Sequence, residues 1–246
     1  MKQTLMVKLA PTVEQHQSLL QTMERFNEAC NHIAKTAFEL RTASKFRLQK
    51  VVYRDTRGRF GLSAQLTIRA ISKVSEAYKR DRPIKPVFKP HSAVVYDQRI
   101  LSWKGLDRVS ILTLSGRHII PTRIGSYQES RLDRKVRQSD LILRDGVFYL
   151  AVVVDAPEPT PDDPTGTLGV DLGVVHLAVD SDGEFYSGEA VDKVRQKIDT
   201  LKASLQSKGT RSAKRHLKRL SGRESRFRRS VNHVVSKRLV SKAKDT

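Results

Sequence analysis

The spacing of hydrophobic positions changes from a strand period to a helix period near the start of the chain. Lys2–Leu9 alternates between apolar and polar residues, which predicts a strand. After Pro11, apolar residues recur three and four positions apart and predict one amphipathic helix over residues 12–41. Thr12 and Gln15 have the spacing of a capping box, which indicates where that helix begins.

Two shorter helices are predicted next. Ser44–Tyr53 is basic and favours a second helix, Arg54–Gly61 indicates a turn, and Ser63–Arg80 has an apolar set at helical spacing. Prolines recur across residues 82–90 and forbid a helix there, because proline lacks the backbone N–H and clashes with the preceding turn. A loop is therefore expected after the third helix.

Short alternating runs typical of strands occupy the next part of the chain. The runs are Ala93–Asp97, Arg99–Trp103, Arg108–Leu114, Arg117–Pro121, Lys135–Arg144 and Val147–Val154. Asp145-Gly146 separates the last two and favours a tight hairpin turn. Together with the first strand they predict a small β-barrel interrupted by helices. The stiff polar segment 157–165 predicts a linker and a domain boundary.

Three short strands are predicted after this linker. Leu168–Val175 is the first strand and His176–Asp180 continues it. A tight turn at Ser181–Gly183 then leads to a returning strand, Glu184–Ser187.

Two basic helices complete the pattern. Apolar residues from Val191 to Leu205 mark the first, which stops at Lys208-Gly209. The second runs from Ser212 to about Lys244, and its apolar stripe is interrupted near Gly222. Its predicted apolar stripe is Ala213, Leu217, Leu220, Phe227, Val231 and Val234.

The charge of the chain is high and unevenly placed. The formal net charge is +20, and residues 192–246 hold 18 Lys and Arg against 4 Asp and Glu. Such a balance implies a polyanionic partner, either nucleic acid or an anionic membrane surface. No run of 18 apolar residues exists, so no transmembrane helix is expected. The single cysteine, Cys30, excludes an internal disulfide and a multi-cysteine zinc site. We expect it to be a small core residue in a cytoplasmic protein.

Asp171 is the candidate for chemistry in the first strand after the linker. A carboxylate in an apolar strand is costly unless it is paired or binds a cation. Gly169 and Gly173 flank it and allow backbone or a ligand to approach closely. Two interpretations remain open: an aspartate satisfied by a neighbouring amide, and a metal-binding carboxylate on the first strand of an RNase H-type fold.

The segment GVDLGVVHLAV, residues 169–179, resembles the first RuvC motif of the TnpB (OrfB) family. These proteins are transposon-encoded RNA-guided DNA nucleases related to type V CRISPR effectors. Sugar-kinase and chaperone ATPases share the GxDxG start but follow it with hydroxyl residues, which Val174-Val175-His176 does not provide. Four further segments resemble the family in the same order along the chain: LSAQLTIRAISKVSEAYK, FKPHSAVVYDQRILSW, DLILRDGVFYLAVVVD and RESRFRRSVNHVVSKRLV.

The resemblance implies an α+β fold with a defined domain order. A wedge-type β-barrel would comprise residues 1–10 and 93–156, and a helical recognition insert residues 11–92. After the linker at 157–165, residues 166–246 would form the N-terminal part of a RuvC-like (RNase H-like) domain with long basic helices.

The family's active site contains three carboxylates, and only Asp171 corresponds to one of them. We therefore expect a partial site. In the complete enzyme it would bind Mg²⁺, and the family's zinc ribbon would lie beyond this sequence, so no zinc site is expected. Nearby carboxylates match neither missing residue: Asp180 suits a strand end and Asp182 a turn, while Glu184 and Glu189 have no assigned role. A shortened chain, a fragment of an interrupted gene and a decayed copy all fit the sequence.

Guide RNA and double-stranded target DNA are the partners that the resemblance implies. The predicted nucleic-acid contacts are Arg80, Arg82, Lys85, Lys89, Lys214, Arg215, Lys218, Arg219, Arg223, Arg226, Arg228 and Arg229. Tyr53, Tyr78 and Trp103 are possible base-stacking residues, with core packing preferred for each. His176 and His233 are interpreted as packed or hydrogen-bonded side chains.

Three functions are compatible with these observations. The first is a TnpB-type RNA-guided DNA endonuclease, represented by its N-terminal part. The second is a guide-RNA and DNA-binding module without cleavage. The third is a generic basic RNA-binding protein, against which Asp171 and the barrel-like half argue.

Overall fold

Helices and strands occur in both of the two units into which the chain folds. The computed structural model describes residues 1–132, 138–158 and 166–245. The chain divides into an N-terminal unit, Met1–Pro159, and a C-terminal unit, Thr160–Thr246. Helices account for 51% of the structure and strands for 24%. The predicted linker at 157–165 lies outside the described residues except for 157 and 158.

Three helices of the N-terminal unit begin at side-chain caps. They are α1 (Val13–Glu39), α2 (Lys45–Phe60) and α3 (Ala64–Arg80). At the start of α1 the predicted capping box is confirmed, since the Gln15 amide donates to Thr12 Oγ1 at 3.2 Å and the Thr12 amide donates to Gln15 Oε1 at 3.1 Å. Ser44 and Ser63 cap the other two helices through their hydroxyls. These hydroxyls accept hydrogen bonds from otherwise unpaired amides of the first turn.

Helix α2 is longer than the sequence predicts. A turn over Arg54–Gly61 is wrong, because the helix continues to Phe60 and ends only at Gly61, whose φ is 64°. Val52, Thr56 and Phe60 are all buried at four-residue spacing. The buried face therefore continues through the segment that was predicted to form a turn.

The strands of the N-terminal unit form one nearly closed antiparallel sheet. They are β1 (Lys2–Leu9), β2 (Val94–Asp97), β3 (Leu101–Lys104), β4 (Arg108–Thr113), β5 (Gly116–Arg123), β6 (Gln138–Arg144) and β7 (Val147–Asp155). Their order is β2-β6-β7-β1-β5-β4-β3, and residues 98–100 join the two outermost strands. The Leu112 amide donates to the Ile100 carbonyl at 2.8 Å and continues the β3–β4 pairing by one residue, while the Tyr96 hydroxyl of β2 donates to the Leu112 carbonyl of β4 at 3.0 Å. A short helix, α4 (Ser126–Glu129), follows β5 and was not predicted.

The hairpin between β6 and β7 has the predicted turn. Asp145 and Gly146 both have positive φ, 50° and 76°, as a tight hairpin turn requires. Strand β5 extends to Arg123, beyond the predicted Pro121. The predicted start of the sixth run, Lys135, lies outside the described residues.

One hydrophobic core joins the helices to the sheet of the N-terminal unit. Phe26 of α1, Ile71 of α3, Tyr96 of β2 and Phe148 of β7 are fully buried in it. Cys30 is also buried there, and burial raises the pKa of its thiol to about 12. The prediction of a small core cysteine is confirmed, and its thiol stays protonated at neutral pH.

The C-terminal unit has a small antiparallel sheet and two long helices. The elements are β8 (Val170–Asp171), β9 (His176–Asp180), β10 (Phe185–Ser187), α5 (Glu189–Lys208) and α6 (Arg211–Asp245). The sheet order is β10-β9-β8, and α6 packs against α5 and β9. Gly209 ends α5 with φ 62°.

The first strand of this unit is shorter than predicted. Only Val170 and Asp171 pair, and His176–Asp180 reverses direction instead of continuing the strand, so that Val170 lies opposite Asp180. Gly173 permits the reversal, since a Cβ there would lie 2.9 Å from the His176 carbonyl oxygen. Leu172, Val174 and Val175 are each 74% exposed in the reversing segment.

Helix α6 runs without interruption. The helix continues through Gly222, where the sequence predicts an interruption of the apolar stripe only. The lower part of the stripe also shifts: Val234 is 48% exposed, while Val235 and Leu239 are partly buried in its place. Val231, Val235 and Leu239 keep the four-residue spacing of one helix face.

Candidate nucleic-acid interface and carboxylate cluster

The first half of α6 has a dense surface of unpaired cations. All eight predicted basic residues are exposed, and within the described part of the chain none of them forms an ion pair. They are Lys214, Arg215, Lys218, Arg219, Arg223, Arg226, Arg228 and Arg229. The helical period places most of them opposite the buried residues Ala213 and Leu220. Residues 214–229 extend over about 24 Å at 1.5 Å per residue.

The acidic residue in the middle of this helix is turned away from the cations. Glu224 accepts a hydrogen bond from Lys202 of α5 at 2.6 Å, and both side chains are largely shielded. This bond raises the pKa of Lys202. Glu224 therefore does not offset the positive charge of the exposed face, because its carboxylate pairs with a lysine of another helix.

A second basic segment follows α3 in the N-terminal unit. Arg80, Arg82, Lys85 and Lys89 are exposed, and no ion pair of theirs occurs within residues 1–132. They lie at the end of α3 and in the proline-containing loop, where no helix forms, as predicted.

Asparagines of α1 fix that loop, and sequence reasoning missed them. Asn31 Oδ1 accepts from the Phe88 amide and its Nδ2 donates to the Phe88 carbonyl, both at 2.8 Å. Buried Asn27 reaches the carbonyls of Pro90 at 3.0 Å and Ser92 at 2.7 Å. Two asparagines four positions apart in an otherwise amphipathic helix were the available signal.

Lys73 of α3 supports the same loop from the other side. Its ammonium donates to Asn27 Oδ1 at 3.1 Å and to the Ala93 carbonyl, and it lies 5.0 Å from the centre of the Phe88 ring. Burial lowers the pKa of Lys73. The basic loop is thus held at three points by two helices.

The aromatic residues considered for base stacking pack into the core. Tyr78 is buried, and Tyr53 and Trp103 are half-buried against the core cluster. Core packing was the preferred interpretation, and the structure confirms it.

Asp171 lies on the exposed face of the small sheet. Its backbone is opposite Val179, which in turn is opposite the exposed Phe185. Within residues 166–245 Asp171 forms no hydrogen bond and no ion pair. The interpretation of an aspartate satisfied by a neighbouring amide is therefore wrong for the described residues, and its carboxylate is open to a ligand.

The other carboxylates of this hairpin surround a lysine. Asp180 is buried, accepts from the amides of Asp182 at 3.1 Å and Glu184 at 2.9 Å, and binds Lys242 of α6 at 2.7 Å. Lys242 also lies 3.1 Å from the Asp182 carboxylate and 3.4 Å from that of Glu184. The Lys242 hydrogen bond, more than any other contact, lowers the pKa of Asp180.

These contacts assign structural roles to the nearby carboxylates. Asp180 closes the end of β9 and Asp182 lies in the turn, as predicted. Glu189 pairs with Lys193 at 2.5 Å on α5. Asp171 lies opposite Val179, and Asp180 follows Val179 along β9. Because side chains alternate along a strand, Asp180 and Asp171 point to opposite faces of the sheet.

The two predicted histidines have ordinary surroundings. The His176 ring lies 5.1 Å from the Phe185 ring, and His233 is exposed on α6. His176 therefore contacts an aromatic ring, but both residues are exposed. The His233 ring forms no hydrogen bond in the described part of the C-terminal unit, so the interpretation of a packed or hydrogen-bonded side chain is wrong for this residue.

The residues present do not make a complete metal site. In the described ranges no group of three or more His, Cys, Asp or Glu side chains converges in a way that could hold a metal ion. Asp171 by itself supplies one carboxylate, whereas two-ion phosphodiester cleavage needs several oxygen ligands.

No helix in the described part of the chain is both long and apolar enough to cross a membrane.

A comparison with protein families agrees with the sequence resemblance. Residues 150–246 match the OrfB_IS605 family model, described as a probable transposase. The predicted resemblance to TnpB (OrfB) proteins is thereby confirmed. A cryo-EM structure of a CRISPR-Cas12f ternary complex is similar over 87% of this chain, at 13% identity and a TM-score of 0.39, and the chain spans 59% of the length of that protein. None of the curated proteins matches the sequence.

Proposed function

We propose that this TnpB-like, transposon-associated chain is the nucleic-acid-binding part of an RNA-guided DNA endonuclease. The observation that carries the proposal is the surface of α6, where eight exposed cations have no acidic partner among the described residues. Lysine and arginine side chains neutralise phosphates and release condensed counterions, which supplies affinity without reading sequence. The basic loop after α3 would provide a second set of backbone contacts.

The partners we propose are a guide RNA from the transposon end and double-stranded target DNA. The family match over residues 150–246 supports this choice over a generic RNA-binding protein. On this proposal the nearly closed sheet of the N-terminal unit is the wedge-type barrel, its helices form the recognition insert, and the C-terminal unit is part of a RuvC-like domain. We place such a protein in the cytoplasm, on the nucleoid when bound to DNA.

Asp171 is the residue that we assign to metal binding and catalysis. Its free carboxylate on an exposed sheet face supports a role as one ligand of a divalent cation such as Mg²⁺. A single carboxylate does not fit a two-ion site, so no cleavage step is assigned to the described residues. The second candidate function, a binding module without cleavage, is favoured by the absence of any three-ligand cluster in those ranges.

A salt titration tests the proposed binding. Affinity for a transposon-end RNA is measured from 50 to 500 mM salt, and a steep linear fall of log K with log salt is expected. Arg219→Gln with Arg226→Gln should reduce the slope, while Lys193→Gln, which removes a cation already paired with Glu189, should change it much less. No binding at low salt, or a flat response, would refute the proposal.

A cleavage assay separates the two candidate functions. The purified chain is incubated with guide RNA, target DNA and Mg²⁺, and no cleavage is expected from the incomplete carboxylate set. Metal-dependent cleavage that Asp171→Ala abolishes would show that further ligands exist, and it would favour the endonuclease over the binding module.

A further inference from the structure

Gly222 lies in the interior of α6 without a conformational reason to be glycine. The helix continues through it, and its φ is not in the left-handed region that favours glycine. Glycine destabilises a helix interior relative to alanine because it loses more backbone freedom on folding. Neither backbone conformation nor helix stability therefore explains a glycine at position 222.

Packing against fixed atoms does not explain it either. A Cβ on Gly222 would meet, within 4 Å and outside the helix's own backbone, only Nη1 of Arg226 at 3.3 Å. That atom is the far end of a flexible side chain and moves aside readily. An alanine would therefore fit at this position. Its methyl group would fill the open space beneath the Arg226 guanidinium.

Four cationic side chains, together with His216 and Leu220, surround Gly222. A depression of about 530 Å³ opens over it, lined in part by Lys218, Arg219, Arg223 and Arg226. We call Gly222 and these four side chains the Gly222 cup. All four are exposed, and no ion pair of theirs occurs within residues 166–245.

Helix geometry places several hydrogen-bond donors around Gly222. Positions three and four removed from Gly222 lie on its face about 5–6 Å away. They are occupied by Lys218, Arg219, Ser225 and Arg226, each of which can donate hydrogen bonds. Glu224, the intervening carboxylate, is held by Lys202 on the α5 side. The cup therefore combines a local concave surface, several positive charges and no local anion.

We propose that the Gly222 cup is a specific seat for one phosphate group of a nucleic-acid backbone. The missing side chain lets the phosphate approach the helix surface, and Arg219 and Arg226 supply forked, charge-assisted donors on either side. Arg226 covers the glycine in the free protein and swings outward to hold the phosphate. The inference rests on the proposed function. It identifies the point at which a phosphate of the nucleic-acid backbone comes nearest to the helix.

The decisive variant is Gly222→Ala, with Ser230→Ala as its matched control. Both substitutions raise helix propensity on the exposed side of α6, and Ser230 lies about two turns away, outside the cup. Binding of a 20-base-pair DNA duplex is measured over a salt series, together with thermal unfolding. Gly222→Ala should raise the melting temperature yet weaken binding several-fold and lower the salt slope by about 0.9, the value for one lost phosphate contact. Ser230→Ala should leave binding and slope unchanged.

A double-variant cycle tests the mechanism. If alanine acts by closing the cup, Gly222→Ala in an Arg226→Gln background should cause little further loss, because the same phosphate contact is already gone. Independent, additive losses would overturn the proposal. Equal binding by Gly222→Ala and the control, with steep salt dependence in the unchanged chain, would overturn this inference and leave the proposed function intact. Absence of binding by the unchanged chain would refute both.

Discussion

Asn27 links α1 to the basic loop after α3, and its replacement by alanine should destabilise the N-terminal unit. Its side chain is fully buried, and Nδ2 lies within hydrogen-bond distance of the carbonyls of Met23, Pro90 and Ser92. Its Oδ1 accepts from the partly buried Lys73 ammonium at 3.1 Å. Asn27→Ala removes all of these contacts at once.

The size of the effect follows from which groups lose their partners. The Pro90 carbonyl belongs to an exposed residue and can be hydrated, but the Ser92 carbonyl and the Lys73 ammonium are half-buried. The Lys73 ammonium keeps the Ala93 carbonyl as an acceptor, so the Ser92 carbonyl is the main group left without a partner. A buried polar group left without a partner costs about 1–3 kcal/mol, which is the loss we expect for Asn27→Ala. The matched variant Asn31→Ala removes two exposed hydrogen bonds to Phe88 and should cost about 1 kcal/mol or less.

Urea unfolding followed by circular dichroism measures both losses. A lower midpoint with an unchanged m-value would indicate a change in stability alone. Hydrogen exchange at the Phe88 amide adds an independent readout, because Asn31→Ala removes its acceptor directly. Equal destabilisation by the two alanines, or a loss below about 1 kcal/mol for Asn27→Ala, would refute the reasoning from burial.

Three further predictions concern the turns and the small sheet. The folded state lowers the pKa of Asp180 below its usual value of 3.8, so the stability from this group is fully present above pH 3.8 and is lost as pH falls through the lower folded pKa. Acid unfolding of the C-terminal unit should show this loss of stability, and Asp180→Asn should make stability less dependent on pH in that range. Gly61→Ala should destabilise by about 1 kcal/mol because its φ is positive, whereas Gly58→Ala within the same helix should stabilise by a similar amount; thermal melts that give both the same sign would contradict this. Amides of Gly169–Val175 should exchange faster than those of Val147–Val154, because β8 is a two-residue edge strand; equal protection would show a more complete core there.

Local signals in the sequence predicted the elements that local chemistry determines. The hydroxyl cap of α1 and the Asp145-Gly146 turn depend on short-range contacts, and each occurs as expected. Helix α2 was underestimated because buried Thr56 continues an apolar face with a residue that pattern analysis counts as polar.

Long-range contacts account for what the sequence could not predict. Lys242 is 62 positions from Asp180, and no periodicity connects a helix terminus to a distant turn. The run LGVDLGVV was assigned to one strand because continuous apolar residues indicate a buried strand. In the structure the chain reverses after Asp171, and the apolar residues beyond it are exposed. The assignment of Asp171 to catalysis stays a prediction, as do the domain limits.

The cations of the chain divide into two groups by their acidic neighbours. Lys202 and Lys242 are surrounded by carboxylates and hold the C-terminal unit together. The arginines of α6 have no such neighbours in the described residues, so their mutual repulsion opposes the compact state of the free protein, more strongly at low salt. A polyanion removes that repulsion when it binds, and any ligand that binds only the folded state stabilises it by mass action. Nucleic acid should therefore stabilise the C-terminal unit most at low salt, where repulsion among the arginines makes the free unit least stable.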